Sequence, residues 1–177
     1  MRFAETPVRG AYLIDPEPRG DERGFFARLW CRDEFAARGL IADFVQCNDS
    51  FSAKRGTLRG LHFQTAPHSE VKLIRCVRGA VWDVVVDLRP KSPSYCQWFG
   101  AELTADNRRL LYVPESCAHG YLTLEDGSEV EYPVSRPYQP DAERGIRWND
   151  PRFGISWPLG EPLTLSPKDR QWPDYQP

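Results

Sequence analysis

The chain has 177 residues, 41% hydrophobic and 27% charged, with a formal net charge of −2. That length can bury a good core within one domain spanning residues 1–177, and the composition is ordinary for a soluble globular protein. The interspersed charges give no electrostatic case for nucleic acid or a membrane surface, and no run of about 18 apolar residues supplies a transmembrane helix.

The first residues, Met1 to Pro7, lack the apolar core of a signal peptide. Five cysteines (Cys31, Cys47, Cys76, Cys96, Cys117) are scattered, with no CxxC among them. This usage fits a reducing cytoplasm and neither a disulfide framework nor a zinc site.

Taken in order, residues 10–13 read as a short strand. Residues 16–24 read as a charged turn ending in Asp21-Glu22-Arg23-Gly24, with Phe25-Phe26 after it. Residues 33–39 form the best helix: Asp33 can sit in or cap the first turn, and Gly39 is a natural left-handed terminator. Residues 48–52 are polar and turn-rich. Residues 59–64, Arg-Gly-Leu-His-Phe-Gln, lead into strand-like sequence. From Glu70 strands follow one another over residues 71–77, 81–88, 95–103, 109–113, 120–124 and 128–134, several separated by turn signals such as Arg78-Gly79 and Asp126-Gly127. Short strands at this spacing predict an all-β sandwich or jelly-roll barrel. After Pro137 the sequence is rich in Pro and Trp. It reads as an ordered wrap over the barrel, because Trp148, Trp157 and Trp172 carry large apolar area.

Side-chain alternation sorts candidates by face. Asp83 and Asp87 share one face of their strand with Val85. Trp82, Val84, Val86 and Leu88 share the other, the expected core face. His62 and Gln64 point one way, Leu61 and Phe63 the other. A bulge at Gly60 would bring Arg59 to the His62 side, placing an imidazole, a guanidinium and an amide at one barrel mouth.

His62 is one of three histidines. It reads either as a proton carrier near neutral pH or as a hydrogen-bonded structural residue. His119 lies in what reads as a turn entering a strand, and His68 in a Pro-rich loop. No His-x-His occurs, which argues against a metal centre. Tyr132 reads as packing, or as a second proton carrier if its hydroxyl faces His62 across a cavity. Lys72, Arg59, Arg23 and Lys168 read as solvated charges or as phosphate ligands. No glycine-rich phosphate loop is present.

Together these segments are familiar. From about Asp21 to Asp169 the chain resembles the dTDP-4-dehydrorhamnose 3,5-epimerase family of cupin-fold nucleotide-sugar epimerases. The resemblance is carried by residues 21–26 (Asp-Glu-Arg-Gly-Phe-Phe), Gln46-x-Asn48, residues 58–64, residues 72–75, residues 83–89, Pro114-Glu115 with Ala118-His119-Gly120, and residues 143–151. It implies a metal-free, cofactor-free cupin jelly roll with short helical segments and a C-terminal wrap. The family forms a homodimer by exchanging edge strands. Its substrate is a nucleotide-diphosphate 4-keto-6-deoxyhexose, dTDP-linked, inverted at C3, C5 or both. By position, His62 resembles the base, Asp169 the carboxylate that orients it with Asp83 as a second carboxylate nearby, Tyr132 the acid on the opposite face, and Lys72 the cation that stabilises the enolate. Arg23, Gln46, Asn48, Arg59, His119, Glu143 and Lys168 match positions that hold the nucleotide diphosphate or sugar, and Tyr138 the position that stacks on the base.

Some positions depart from the family pattern. Arg28 stands at a nucleotide-contacting position that is usually Glu, Cys47 at a usual Asp, Asp49 at a usual His, and Pro133 where Lys is common. An Arg28–Asp49 ion pair is one expectation from these changes. Pro133, lacking an N–H, is expected to end its strand or lie on an edge. Two other readings stand beside the 3,5-epimerase: a single-centre epimerase or isomerase on another nucleotide sugar, and a non-catalytic sugar-nucleotide-binding cupin.

Overall fold

In the computed structural model, which describes residues 1–162 and 164–176, the chain forms strands β1 (Arg2–Glu5), β2 (Tyr12–Asp15), β3 (Arg19–Asp21), β4 (Gly24–Phe26), β5 (Gln46–Ser52), β6 (Leu58–Gln64), β7 (Lys72–Arg78), β8 (Ala80–Asp87), β9 (Trp98–Thr104), β10 (Leu110–Val113), β11 (Cys117–Thr123), β12 (Ser128–Val134) and β13 (Glu143–Gly145). Two short helices, α1 (Arg32–Ala36) and α2 (Pro167–Arg170), complete the elements used below. A six-stranded sheet runs β1-β2-β10-β7-β12-β5, a five-stranded sheet runs β13-β6-β11-β8-β9, and β3 and β4 form a separate hairpin. This is an all-β jelly roll, as the strand spacing predicts.

The period-2 pattern of the strands fills three layers. Ile74, Cys76, Val81, Val85, Leu111, Val113 and Val130 pack between the two sheets. On the outer face of the six-stranded sheet, Ile14, Leu73, Leu110 and Tyr112 pack against Phe35 of α1. On the outer face of the five-stranded sheet, Leu58, Leu61, Val84, Val86 and Leu122 pack under Ile146, Phe153 and Trp157. The C-terminal segment therefore wraps the barrel through its tryptophans, as expected. Both faces of β8 are buried: Val84 and Val86 face the wrap, while Asp83 and Asp87 face inward with Val85, each 0% exposed. Sequence alternation located the two faces but made only one of them core. Two sheets and a wrap cover both.

Several elements differ from expectation. Residues 48–52, polar and turn-rich in sequence, are part of β5, whose burial alternates along its length. Its inward face is polar because it borders a cavity and no apolar core. The charged turn at 16–24 is the β3–β4 hairpin. α1 is shorter than expected; its N-cap is Cys31, with Asp33 inside the first turn, and Gly39 adopts the left-handed φ of +69°. β2 starts two residues later than the expected strand. His119 lies within β11, paired on both sides, and not in a turn. Pro133 is in an interior strand between β7 and β5, opposite Cys47, and the strand continues to Val134. No helix of the described residues is long and apolar enough to cross a membrane.

Candidate active site

A cavity of about 460 Å³ opens between the sheets at one end of the barrel. From β6 it is lined by Arg59 and His62, from β7 by Lys72, from β11 by His119 and Tyr121, and from β12 by Tyr132. Glu143 of β13 and Lys168 and Asp169 of α2 close it. A smaller adjoining recess adds Gln46, Asn48, Gln64, Glu70 and Tyr138.

The bulge inferred at Gly60 is what brings Arg59 round. β6 pairs with β11 as His62 opposite His119, then Arg59 opposite Tyr121, so β6 carries one extra residue between the two pairs. Gly60 there has φ +124°, a region closed to side chains. Arg59 then anchors on Ser52 Oγ at 3.1 Å and the Phe51 carbonyl at 2.9 Å.

His62 is held through Nε2 by Asp169 Oδ1 at 2.6 Å. Asp169 arrives on α2, whose N-cap Ser166 accepts the Asp169 backbone N–H at 3.0 Å. Trp172 Nε1 donates to the same carboxylate oxygen at 3.2 Å. Burial pushes the Asp169 carboxyl up, but hydrogen bonds and the charge of His62, with bonds from Ser166 and Trp172, outweigh it and hold it below the usual carboxylate range. With Nε2 taken by a carboxylate, Nδ1 is the ring nitrogen left to accept a proton.

Lys72, buried, bonds Glu70 Oε1 at 3.2 Å and the His62 carbonyl at 3.3 Å. Glu70 is fixed by Gln64 Nε2 at 2.6 Å, so Gln64 positions the lysine from behind. Tyr132 stands in the facing sheet, and burial raises its phenol, which keeps the hydroxyl proton in place near neutral pH. His119 Nε2 bonds Asp83 Oδ1 at 2.7 Å; Asp83 thus orients His119 while Asp169 orients His62. Lys168 bonds Glu143 at 2.5 Å, and the exposed Tyr138 gives its hydroxyl to the same carboxylate. Gln46 Nε2 donates to Asn48 Oδ1 at 2.7 Å.

Of the residues singled out in the sequence, the cavity and its recess gather His62, Asp169, Tyr132, Lys72, Arg59, His119, Gln46, Asn48, Tyr138, Glu143 and Lys168. Two are elsewhere. Arg23, its side chain 85% exposed, pairs with Asp21 on the β3–β4 hairpin. Arg28 pairs with Glu34 at 3.0 Å, and not with Asp49. Cys47 and Asp49 sit on the exposed face of β5, alternate with the cavity-facing Gln46 and Asn48. Sequence reading passed over Tyr121, whose hydroxyl bonds Ser50 Oγ at 2.9 Å. It lies two residues after His119 on the same strand face, so alternation could have found it. Thr164, Leu165 and Ser166 also line the cavity; they come from irregular chain and carry no periodic signal. Among the described residues, no three His, Cys, Asp or Glu side chains are grouped to hold a metal ion.

Comparison with known proteins assigns the chain to a family. The sequence model of the dTDP-4-dehydrorhamnose 3,5-epimerase family matches residues 5–176. The enzyme of that name from Methanothermobacter thermautotrophicus is 45% identical over 174 residues, covering 97% of this chain and 93% of the relative. Its namesake from Escherichia coli is 42% identical over 172 residues, covering 97% and 92%. The crystal structure of the Bacillus anthracis epimerase with TDP and PPi bound superposes with a TM-score of 0.93 at 44% identity, covering 98% of this chain and 99% of that one. A 3'-monoepimerase from Streptomyces bikiniensis in complex with dTDP-quinovose gives 0.86 at 32% identity, covering 94% and 84%. Matched over nearly its whole length in both sequence and fold, the chain belongs to the dTDP-4-dehydrorhamnose 3,5-epimerase family of isomerases.

Proposed function

We propose that the protein inverts the carbons flanking the ketone, C3 and C5, of a dTDP-linked 4-keto-6-deoxyhexose, as a step of deoxysugar biosynthesis. The observation that carries this reading is the Asp169–His62 pair on one wall of the cavity with Tyr132 on the facing sheet. A hydrogen next to a ketone is acidic because the electron pair it leaves spreads onto the carbonyl oxygen. His62 Nδ1 takes that proton, and Asp169 stabilises the imidazolium that results. Lys72 faces the enolate oxygen and meets the charge that develops there. Tyr132 returns a proton from the opposite face, and the carbon is inverted. Arg59, His119 and Lys168 supply cationic or donor groups for the diphosphate and sugar, while Gln46, Asn48 and Tyr138 border the recess where the base would stack. The relative bound to TDP and PPi supports a dTDP-type carrier.

A homodimer belongs to this proposal. Arg23 and Arg28 do not line the cavity of their own chain, and they flank the exposed Phe25 and Phe26 in sequence. A second copy receiving the β3–β4 region would bring them to a nucleotide. The free cysteines fit a cytoplasmic setting. A single-centre epimerase is the second reading, favoured by the fold match to a 3'-monoepimerase. Incubation with the dTDP-4-keto sugar in D₂O, followed by NMR, decides: label and inversion at both carbons supports the first reading, at one carbon the second, and at neither removes both.

A further inference from the structure

Trp172 stands apart from the other tryptophans of the wrap. Trp148 and Trp157 join the apolar layer over the five-stranded sheet, and among the described residues Trp172 does not. Its indole sits beside the His62–Asp169 pair. Nε1 donates to Asp169 Oδ1 at 3.2 Å, the same oxygen that His62 Nε2 reaches at 2.6 Å. The ring stands edge to face with the His62 imidazole, with centroids 6.2 Å apart and planes at 66°. Lys168 Nζ lies 5.6 Å from the centre of the same ring. One side chain is thus the neighbour of an imidazole, of the carboxylate that supports it and of a cation at the cavity mouth.

The chain seats this ring from three directions. Gly145 of β13 pairs with His62 of β6, and paired residues of antiparallel strands turn their side chains to one face. Gly145 has no side chain, and a Cβ there would overlap the indole, so the ring fills the slot left open. Before Trp172, α2 is fixed at Ser166, whose Oγ accepts the Asp169 N–H at 3.0 Å. After it, the Pro173 carbonyl accepts the Arg147 backbone N–H at 3.1 Å, and Asp174 pairs with the Arg147 guanidinium at 2.7 Å.

A carboxylate needs such a support. The torsion that turns it is broad and two-fold, so its hydrogen bonds set its orientation. His62 alone is a poor anchor, because its side chain is 31% exposed and its charge changes whenever it takes a proton. An indole N–H is a donor in every protonation state of its neighbours and never an acceptor. Its bond to a carboxylate is charge-assisted, and it opposes transfer of a proton from His62 to Asp169, which would end that assistance. Burial raises the Asp169 carboxyl, and the bond and charge of His62 with bonds from Ser166 and Trp172 bring it below the usual carboxylate range.

We propose that Trp172 is a positioning residue of this site: its indole N–H, with the ring seated against Gly145, holds Asp169 Oδ1 where it meets His62 Nε2. The inference rests on the reading of the protein as an epimerase. Trp172 does not line the cavity or its recess and touches no reacting atom. It acts on the rate of proton removal through Asp169 and leaves the grip on substrate unchanged.

The test measures kcat and KM for the dTDP-linked 4-keto-6-deoxyglucose substrate in wild type, Trp172→Phe, Asp169→Ala and the double variant, with initial deuterium uptake from D₂O as the assay. Trp172→Phe keeps an aromatic ring in the slot and removes the donor. Its kcat falls about tenfold while KM stays within about twofold. In the Asp169→Ala background the same change alters kcat less than about threefold, because the carboxylate it acts on is gone. A further variant carries 3-benzothienylalanine in place of Trp172, with the indole's shape and sulfur where the N–H was; it matches Trp172→Phe, and it decides the question if Trp172→Phe does not fold. A kcat loss below about threefold in the folded single variants, a rise in KM alone, or an equal loss with and without Asp169 overturns the proposal and leaves the epimerase reading in place. A wild type that takes up no deuterium overturns that reading, and the proposal with it.

Discussion

Gly60 and Gly120 approach so closely across β6 and β11 that neither position has room for a side chain. A Cβ on Gly60 would fall 2.6 Å from the Gly120 Cα, and one on Gly120 would fall 2.6 Å from the Arg59 carbonyl oxygen. Both obstacles are backbone, which cannot swing aside. The contact fixes the bulge that turns Arg59 and His62 into the cavity together. Gly120→Ala should therefore cost about 1–3 kcal/mol of stability, as overpacking does, and lower activity in protein that still folds. Urea denaturation checks the first part; a variant as stable as wild type would show that the strands have slack.

Asp169 gives a pH prediction. Its folded carboxyl lies below the usual range, so its stabilising contribution is present above the unfolded value near 3.9 and lost as pH falls through the folded one. Asp169→Asn should destabilise the protein by about 1–3 kcal/mol near neutral pH. That gap should narrow between about pH 5 and about pH 3 as the wild-type carboxylate is protonated. Paired denaturation curves across this range measure it, and a gap constant with pH would mean that Asp169 contributes by packing alone.

Tyr132→Phe separates proton removal from proton return. The base wall is untouched, so solvent exchange persists while inverted product falls by about 10²–10⁴-fold. Equal losses of exchange and inversion would place the hydroxyl in binding or carbonyl polarisation.

Arg23 tests the assembly. If it serves a neighbouring cavity, Arg23→Ala and His62→Ala should each be weak alone, and mixing them under subunit exchange should restore about a quarter of wild-type activity, since half of the sites are doubly wild-type only in the mixed dimers that make up about half of the population. No gain on mixing would confine Arg23 to its own chain.

Much of this site was legible in the sequence because strand periodicity assigns faces independently of fold detail. Alternation alone placed His62 with Gln64 and opposed them to Leu61 and Phe63. It also grouped Val85 with Asp83 and Asp87. It failed where a local signal contradicted the tertiary one. Asn48 to Ser52 looks like a turn because polar residues face a cavity, where strand propensity reads packing against apolar neighbours. Pro133 looked like an edge residue, yet β12 continues past it between two strands. The Asp83–His119 bond joins positions 36 apart and depends on which strands are neighbours in the sheet, a relation that no local pattern contains.

The most direct test of the whole account is deuterium incorporation from D₂O into the dTDP-linked 4-keto sugar by wild type and by His62→Ala, with circular dichroism confirming that both are folded. The account predicts label next to the ketone with wild type and a loss of about 10²–10⁴-fold in the variant. No label with wild type, or undiminished label at both carbons in folded His62→Ala, would contradict it.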